Sequence, residues 1–296
     1  MKTLSIIDGS GFLFRAWYAF PPMSNAQGQN QNVIYGFSLM MLKLLLEQPD
    51  YFVIAWDSPV KTKRHEQYQD YKANRKKLED EFKQQIPLVQ TLVNELGIPN
   101  VVAPGYEADD SIATLVAAHQ KNTDLMIQVF SSDKDLKQFL AENVVVTDPI
   151  KNLTTRIPDF EREFGFIPAS IVDYLALIGD GADNVKGVAG IGPKKASDLI
   201  KKYGTIEQIY AHLDEIKGEI REKLIAGEQD AFFSKKLILL MEVPELKNQS
   251  LEALKLNIDF AHWEQVLVQK WGFKGLQKTL GELKKKTTEP QQLGLF

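Results

Sequence analysis

Three short apolar runs, each leading into an acid, constrain this chain more than any other feature. LSII at 4–7 runs into Asp8, YFVIAW at 51–56 into Asp57, and LMIQVF at 125–130 reaches Asp133 and Asp135 a few residues later. These strand-like runs, with a fourth at 144–146, alternate with segments of helical spacing at 33–47, 82–96 and 108–119. Strands alternating with helices form a parallel sheet. In an open sheet of that kind the carboxyl ends of the strands line the ligand crevice, so the acids are expected to converge there.

From about residue 171 the strand-like runs stop. Helical patterns separated by Gly and Pro follow at 171–178, 194–203, 206–213, 230–241 and 263–271. The expected organisation is an α/β core over 1–172 and a smaller all-helical part over 173–283. A flexible tail follows at 284–296, where a Lys run gives way to Pro and Gln.

Composition removes several classes of function. There is no cysteine and there are four scattered histidines, so disulfides, thiolate sites and a histidine-built zinc centre are excluded or disfavoured. The N-terminal MKTLSIIDGS turns polar too soon for a signal peptide, and Lys43 breaks the apolar stretch at 39–46. A cytoplasmic protein without a membrane partner is expected. The net charge of −4 argues against nucleic acid, but the charges are segregated. KTKRHEQYQDYKANRKK at 61–77 is basic, whereas EADD, DKD and GDGAD are acidic.

Nine acids form the first candidate site: Asp8, Asp57, Glu107, Asp109, Asp110, Asp133, Asp135, Asp180 and Asp183. Any one cluster could simply cap a helix. Gathering the whole set in one crevice costs roughly several kcal/mol unless cations neutralise it. Oxygen-only donors favour Mg²⁺ or Mn²⁺, and two such ions suit phosphodiester hydrolysis.

The second candidate is GVAGIGPKKASDLI at 187–200, where turns at Gly190 and Gly192 precede a helix opening with Pro193. It looks like a helix–hairpin–helix element, at about 185–203, that offers backbone N–H groups and Lys194 and Lys195 to DNA phosphates. An ordinary glycine-capped junction is the bland alternative. The third is the basic stretch, with Arg64, Tyr68, Tyr71, Lys72, Arg75, Lys76 and Lys77. Leaving the sheet just after Asp57, it is expected to overhang the crevice, where cations among aromatics suit a single strand. Trp17, Tyr18 and Phe20 are expected in the core.

The blocks IDGSGFLFRAWYAF, AWDSPVKTKRHEQYQDYKANR, PGYEADD, SSDKDL, ALIGDGADN and GVAGIGPKKA together resemble the 5′-nuclease domain of bacterial DNA polymerase I, a relative of flap endonucleases. The resemblance implies a PIN-like core with a helical arch at about 58–85. It also implies a two-metal 5′–3′ exonuclease and flap endonuclease acting at 5′ ends, nicks and flaps of DNA and on RNA primers, in replication and repair. Asp8, Asp57, Glu107, Asp109 and Asp110 would form the first metal site, and Asp133, Asp135, Asp180 and Asp183 the second. Lys72 and Arg75 would grip the scissile phosphate, Tyr71 would stack on the unpaired end, and Arg15 would touch substrate. Arg64 is a further DNA contact, and carbonyls at 188–191 would hold K⁺.

The terminal Gln292, Leu293, Gly294, Leu295 and Phe296 resemble a peptide for the bacterial sliding clamp. Two other functions compete: a carboxylate-metal phosphatase for small esters, and a DNA-binding scaffold without chemistry. The first needs no basic arch, and the second would have lost acids.

Overall fold

A computed structural model describes residues 1–75 and 77–288. Strands β1 (Lys2–Asp8), β2 (Tyr51–Trp56), β3 (Asn100–Val102), β4 (Leu125–Phe130), β5 (Val144–Asp148) and β6 (Leu153–Thr155) form one sheet in the order β3-β2-β1-β4-β5-β6. The first five are parallel, and β6 runs antiparallel to β5. The chain builds outward from β1 through β2 to β3, then crosses to the other side of β1 for β4. That reversal sets Ile7 beside Phe130 and opens a crevice past the ends of β1 and β4.

The helices are α1 (Gly9–Ala19), α2 (Asn32–Leu45), α3 (Lys63–Gln67), α4 (Asp80–Glu95), α5 (Ala108–His119) and α6 (Ile157–Phe164). After them come α7 (Ile171–Ile178), α8 (Pro193–Tyr203), α9 (Ile206–Ala211), α10 (Glu219–Ala226), α11 (Glu228–Ile238), α12 (Phe260–Glu264) and α13 (Gln277–Thr288).

Strand β2 is apolar along its whole length because both faces are covered. Val53 and Ala55 join Leu4, Ile6, Ile127 and Val129 in one core with Ile112 and Leu115 of α5. Phe52, Ile54 and Trp56 join Ile7 and Phe130 in the other, against α1, α2 and α4. Leu175, Leu199, Ile206, Leu224 and Leu237 extend the first core into the helical second part. Trp263, Leu280 and Leu283 return to the second core beside α2.

Four expectations are revised. Among the described residues of 58–79, only Lys63–Gln67 are helical, and the chain runs as turns from there through Arg75. Lys72 adopts a left-handed φ of 57° and its N–H donates to Asp183 O, both incompatible with a continuing helix. Helix α13 runs on to Thr288, past the expected start of the tail, because Lys286 Nζ donates to Leu46 O and Lys286 O accepts from Gln48. Strands β3 and β6 add to the expected elements: three residues each are too few for a pattern. Tyr18 is 80 % exposed, whereas Trp17 and Phe20 pack against Phe82 and Tyr35. Lys76 and the terminal Gln292, Leu293, Leu295 and Phe296 lie outside the described residues. Among the described residues, no helix is long and apolar enough to cross a membrane.

Candidate active site

Asp8 ends β1 and caps α1, where its Oδ1 accepts from Gly11 N at 2.8 Å. Its Oδ2 accepts from the Ser131 hydroxyl at 2.8 Å, and Ser131 Oγ in turn accepts from Asp133 N at 3.0 Å. Two strand ends are thereby tied through one serine. Asp57 follows β2 and accepts from Ala108 N at 2.9 Å, fixing the start of α5, which Glu107 caps and which bears Asp109 and Asp110. Asp133 accepts from Asp135 N at 2.8 Å.

Asp180 and Asp183 reach the cleft on a loop closed by reciprocal 2.8 Å backbone bonds between Asp180 and Val185. Two glycines make that loop possible. A Cβ on Gly187, φ +65°, would lie 2.2 Å from Gly179 N, and one on Gly179, φ +76°, would lie 2.5 Å from Val185 O.

Glu107, Asp109, Asp135, Asp180 and Asp183 line one cleft. Burial pushes the Asp135 carboxyl up to about 8, reinforced by Asp133 and Asp180. Burial likewise lifts Asp8 to about 6, with Asp57 and Asp133 adding to it against the Gly11 and Ser131 hydrogen bonds. Asp109 is held well above the usual carboxylate range by burial and then by Asp133, Asp8 and Asp57, and Asp133 is also raised, chiefly by burial. Asp135 Oδ1 is buried without a hydrogen-bond partner. Asp8, Asp109, Asp133 and Asp135 thus repel one another and are repelled by Asp57, Asp180 and Asp183, a strain that either protons or cations relieve.

The chain's own cations pair with acids of that cleft. Lys72 Nζ is 2.5 Å from Glu107 Oε1 and 3.7 Å from Asp183, Arg75 Nη2 is 2.5 Å from Asp183 Oδ1, and Lys134 Nζ is 3.2 Å from Asp180. Burial works against the Lys72 ammonium, yet Glu107 and Asp183 raise its pKa. Only about 10 Å³ of cleft volume is left. Among the described residues, no three acids gather around one point as an ion would need. The electrostatics and the oxygen-only donor set nevertheless fit a divalent cation. Lys72 and Arg75 hold two of these acids, Glu107 and Asp183, in ion pairs where an ion would otherwise draw them together.

Three expected roles are not available in this arrangement. Asp110 is fully buried, and its oxygens accept from Arg64 and from Glu107 N and Met241 N, so no lone pair faces the cleft. Arg64, 3 % exposed, also donates to Leu237 O and Leu239 O and cannot reach DNA. Tyr71 is 4 % exposed and cannot stack on a base; its hydroxyl lies 3.0 Å from both Glu107 and Asp183. Burial raises its pKa, with Glu107 and Asp183 adding, so the phenol stays protonated.

Arg15 is partly exposed on α1, the helix that Asp8 caps. Lys194 is exposed and Lys195 partly so at the start of α8, which Gly192 caps, and Gly190 turns with φ +78°. Sequence reasoning missed Ser131, Asn74 and Asn184. Asn74 donates to Gly181 O and Asn184 to Asp70 O, binding the basic segment to the 180–184 loop. Only Ser131 carried a signal, as a small polar residue two positions before Asp133.

Comparison with known proteins places this chain in a family. Residues 3–165 match the 5′-3′ exonuclease N-terminal resolvase-like domain, and residues 166–266 the 5′-3′ exonuclease C-terminal SAM fold. A 5′-3′ exonuclease of Aquifex aeolicus is 42% identical over 241 residues, 81% of this chain and 82% of that protein. DNA polymerase I of Caldicellulosiruptor bescii is 38% identical over 94% of this chain, which spans 33% of the polymerase. A bacteriophage T5 flap endonuclease in complex with DNA and metal ions shares the fold, with TM-score 0.66 and 20% identity over 97% of this chain and 100% of that one. Flap endonuclease-1 from Methanococcus jannaschii does so with TM-score 0.60 and 19% identity over 96% and 92%. The chain therefore belongs to the 5′-3′ exonuclease family and is a nuclease of that family.

Proposed function

We propose that this nuclease hydrolyses phosphodiester bonds at 5′ ends, nicks and 5′ flaps of DNA, and of RNA primers, with two divalent ions, Mg²⁺ or Mn²⁺. The observation that carries it is the crowding of carboxylates that raises Asp8, Asp109, Asp133 and Asp135 together, with one buried oxygen of Asp135 lacking any partner. Asp8, Asp57, Glu107 and Asp109 would hold one ion, and Asp133, Asp135, Asp180 and Asp183 the other. Bound there, such ions supply a water deprotonated near neutral pH and positive charge for the phosphate and leaving oxygen.

The chain's own groups do the rest. Lys72 and Arg75 leave their carboxylate partners and hold the scissile phosphate, with Arg15 beside them. Tyr71, protonated, keeps Glu107 and Asp183 oriented. Ser131 and Gly11 N–H hold Asp8. Lys194, Lys195 and the amides at Gly190 and Gly192 bind duplex phosphates without reading sequence, and K⁺ would sit on the carbonyls at 188–191. The terminal Gln292, Leu293, Leu295 and Phe296 would engage a sliding clamp, which titration of a 288–296 peptide against clamp tests.

The decisive experiment incubates a 5′-flap duplex with the protein in Mg²⁺ and, separately, in EDTA. Cleavage at the junction in Mg²⁺ alone supports the reading. Cleavage in EDTA, or none in Mg²⁺ or Mn²⁺, overturns it.

A further inference from the structure

Lys134 stands in the chain between Asp133 and Asp135, and its ammonium is 3.2 Å from Asp180, so one lysine neighbours three of the acids given above to the second ion. Its side chain is 42 % exposed, and an ion pair that open adds little to stability. The lysine also works against a divalent cation at Asp180, because like charges repel. An ion arriving there displaces the ammonium, and its flexible stem lets it turn to another anion.

The surroundings show where that anion lies. Burial raises the Tyr174 phenol and the Lys134 charge counters it, which puts the ammonium on the α7 side of the cleft. Lys134 and Lys137 are three residues apart at the tight turn Asp135–Phe139, so they project from one side of it. Lys137 pairs with Glu163 at 3.4 Å and lies 5.5 Å from the centre of the Phe164 ring, at the end of α6. Lys201 of α8 comes next, its stem lying where a Cβ on Gly165 would stand. The three cations thus form a strip from the carboxylate cleft, past the end of α6, to the helix whose start bears Lys194 and Lys195. Lys72 and Arg75 reach the acids elsewhere, at Glu107 and Asp183.

A line of cations with one end at the acids fits a phosphate backbone entering the cleft. Resting on the 5′-flap reading above, we propose that Lys134, released from Asp180 by the second ion, grips the phosphate one step into the duplex from the scissile one, and that Lys137 and Lys201 hold the same strand further on. The scissile phosphate is then fixed from two sides, by Lys72 and Arg75 towards the flap and by Lys134 towards the duplex. A strand held at successive phosphates cannot slide along the acids.

The test uses the full chain and two 5′-flap duplexes, one unmodified and one with an uncharged methylphosphonate linkage one step into the duplex from the cut. Single-turnover cleavage is measured in saturating Mg²⁺ and protein. Wild type should cut the modified flap about tenfold more slowly, the scale of one hydrogen bond to a charged group. Lys134→Met should be about tenfold slow on the unmodified flap and lose nothing further on the modified one, because the two changes remove the same contact. Lys134→Arg should keep most of the wild-type rate and the sensitivity to the linkage. Lys137→Met with Lys201→Met should weaken flap binding in EDTA and lower the slope of log K against log salt by about two. Because Lys134 is half exposed, its variants keep the fold, which circular dichroism verifies. A wild type indifferent to the linkage overturns the proposal, as does a Lys134→Met protein slowed a further tenfold by it. Full recovery of Lys134→Met at raised Mg²⁺ also overturns it, since the lysine then serves only the ion. An unchanged salt slope removes Lys137 and Lys201 from the track. Failure of wild type to cut the unmodified flap in Mg²⁺ or Mn²⁺ would overturn the nuclease reading instead.

Discussion

Arg64 and Asp110 are joined by two parallel hydrogen bonds, Nη1 to Oδ2 and Nη2 to Oδ1, each 2.8 Å, with the arginine 3 % exposed and the aspartate fully buried. Arg64 also holds Leu237 O and Leu239 O at the end of α11, so the pair links α3, α5 and α11. Removing one partner strands a buried charge, at a cost of about 3–5 kcal/mol. Arg64→Met should lose about that much stability in urea. Arg64→Met with Asp110→Asn should regain part of it, because the stranded charge is gone while the side-chain oxygen can still accept from a backbone N–H. An Arg64→Met protein as stable as the parent would refute this structural role.

Lys72 and the divalent ions would compete for Glu107 and Asp183. Lys72→Met should therefore bind Mg²⁺ more tightly, by about tenfold or ~1.4 kcal/mol, read from the Mg²⁺ dependence of the thermal midpoint. Cleavage should move the opposite way, falling about 10²-fold or more, because a cation at the scissile phosphate acts in the transition state. Weaker Mg²⁺ binding by the variant would mean that Lys72 supports the ion sites.

The sheet is legible in the sequence because YFVIAW and LMIQVF are long enough to declare themselves, and the acids because they follow strand ends. The basic segment is harder. Its charge pattern points correctly to the crevice, yet composition cannot tell a cation facing solvent from one facing acids, so the burial of Arg64 and Tyr71 is invisible. Asp110 shows the same limit: Glu107 and Asp110 are expected on one face of α5, but which of them faces the cleft depends on Arg64, 46 residues away in sequence. Tyr18 escapes the pattern because helical spacing gives an apolar stripe its width and not its edge. Ser131 carries no periodic signal, since its role comes from the contact between β1 and the loop after β4.

Gly11 stands where a Cβ would lie 2.5 Å from Asp8 Oδ2, the atom that also accepts from Ser131. Within a helix, Gly→Ala otherwise gains about 0.5–1 kcal/mol. Gly11→Ala should thus leave stability within about 1 kcal/mol of the parent while cleavage falls about 10²-fold, the scale of a displacement near 1 Å. Ser131→Ala should lower cleavage less, since Gly11 N still holds Asp8. A Gly11→Ala protein with normal single-turnover rate would show that Asp8 tolerates displacement.

The carboxylate set also fixes how stability responds to pH. Asp135 is pushed up to about 8 and Asp8 to about 6, by burial first and neighbouring acids second. Both lie above the ordinary value of about 3.9, so across that interval the folded chain holds protons that the unfolded chain has released. Their contribution therefore falls as pH rises. It is absent below about pH 4, where both states are protonated, and reaches its full penalty above about pH 8. In EDTA, Asp135→Asn should raise the melting midpoint at pH 8 and leave it unchanged at pH 4. Every tenfold difference in proton affinity between the folded and unfolded chain is worth about 1.4 kcal/mol, or about 2–4 °C in a chain of this size. Mg²⁺ should act in the same direction on the parent, stabilising it more at pH 8 than at pH 5, and should do less for Asp135→Asn, which has lost one donor charge. Melting curves for parent and variant that run parallel from pH 4 to pH 8 would show that Asp135 is ionised throughout.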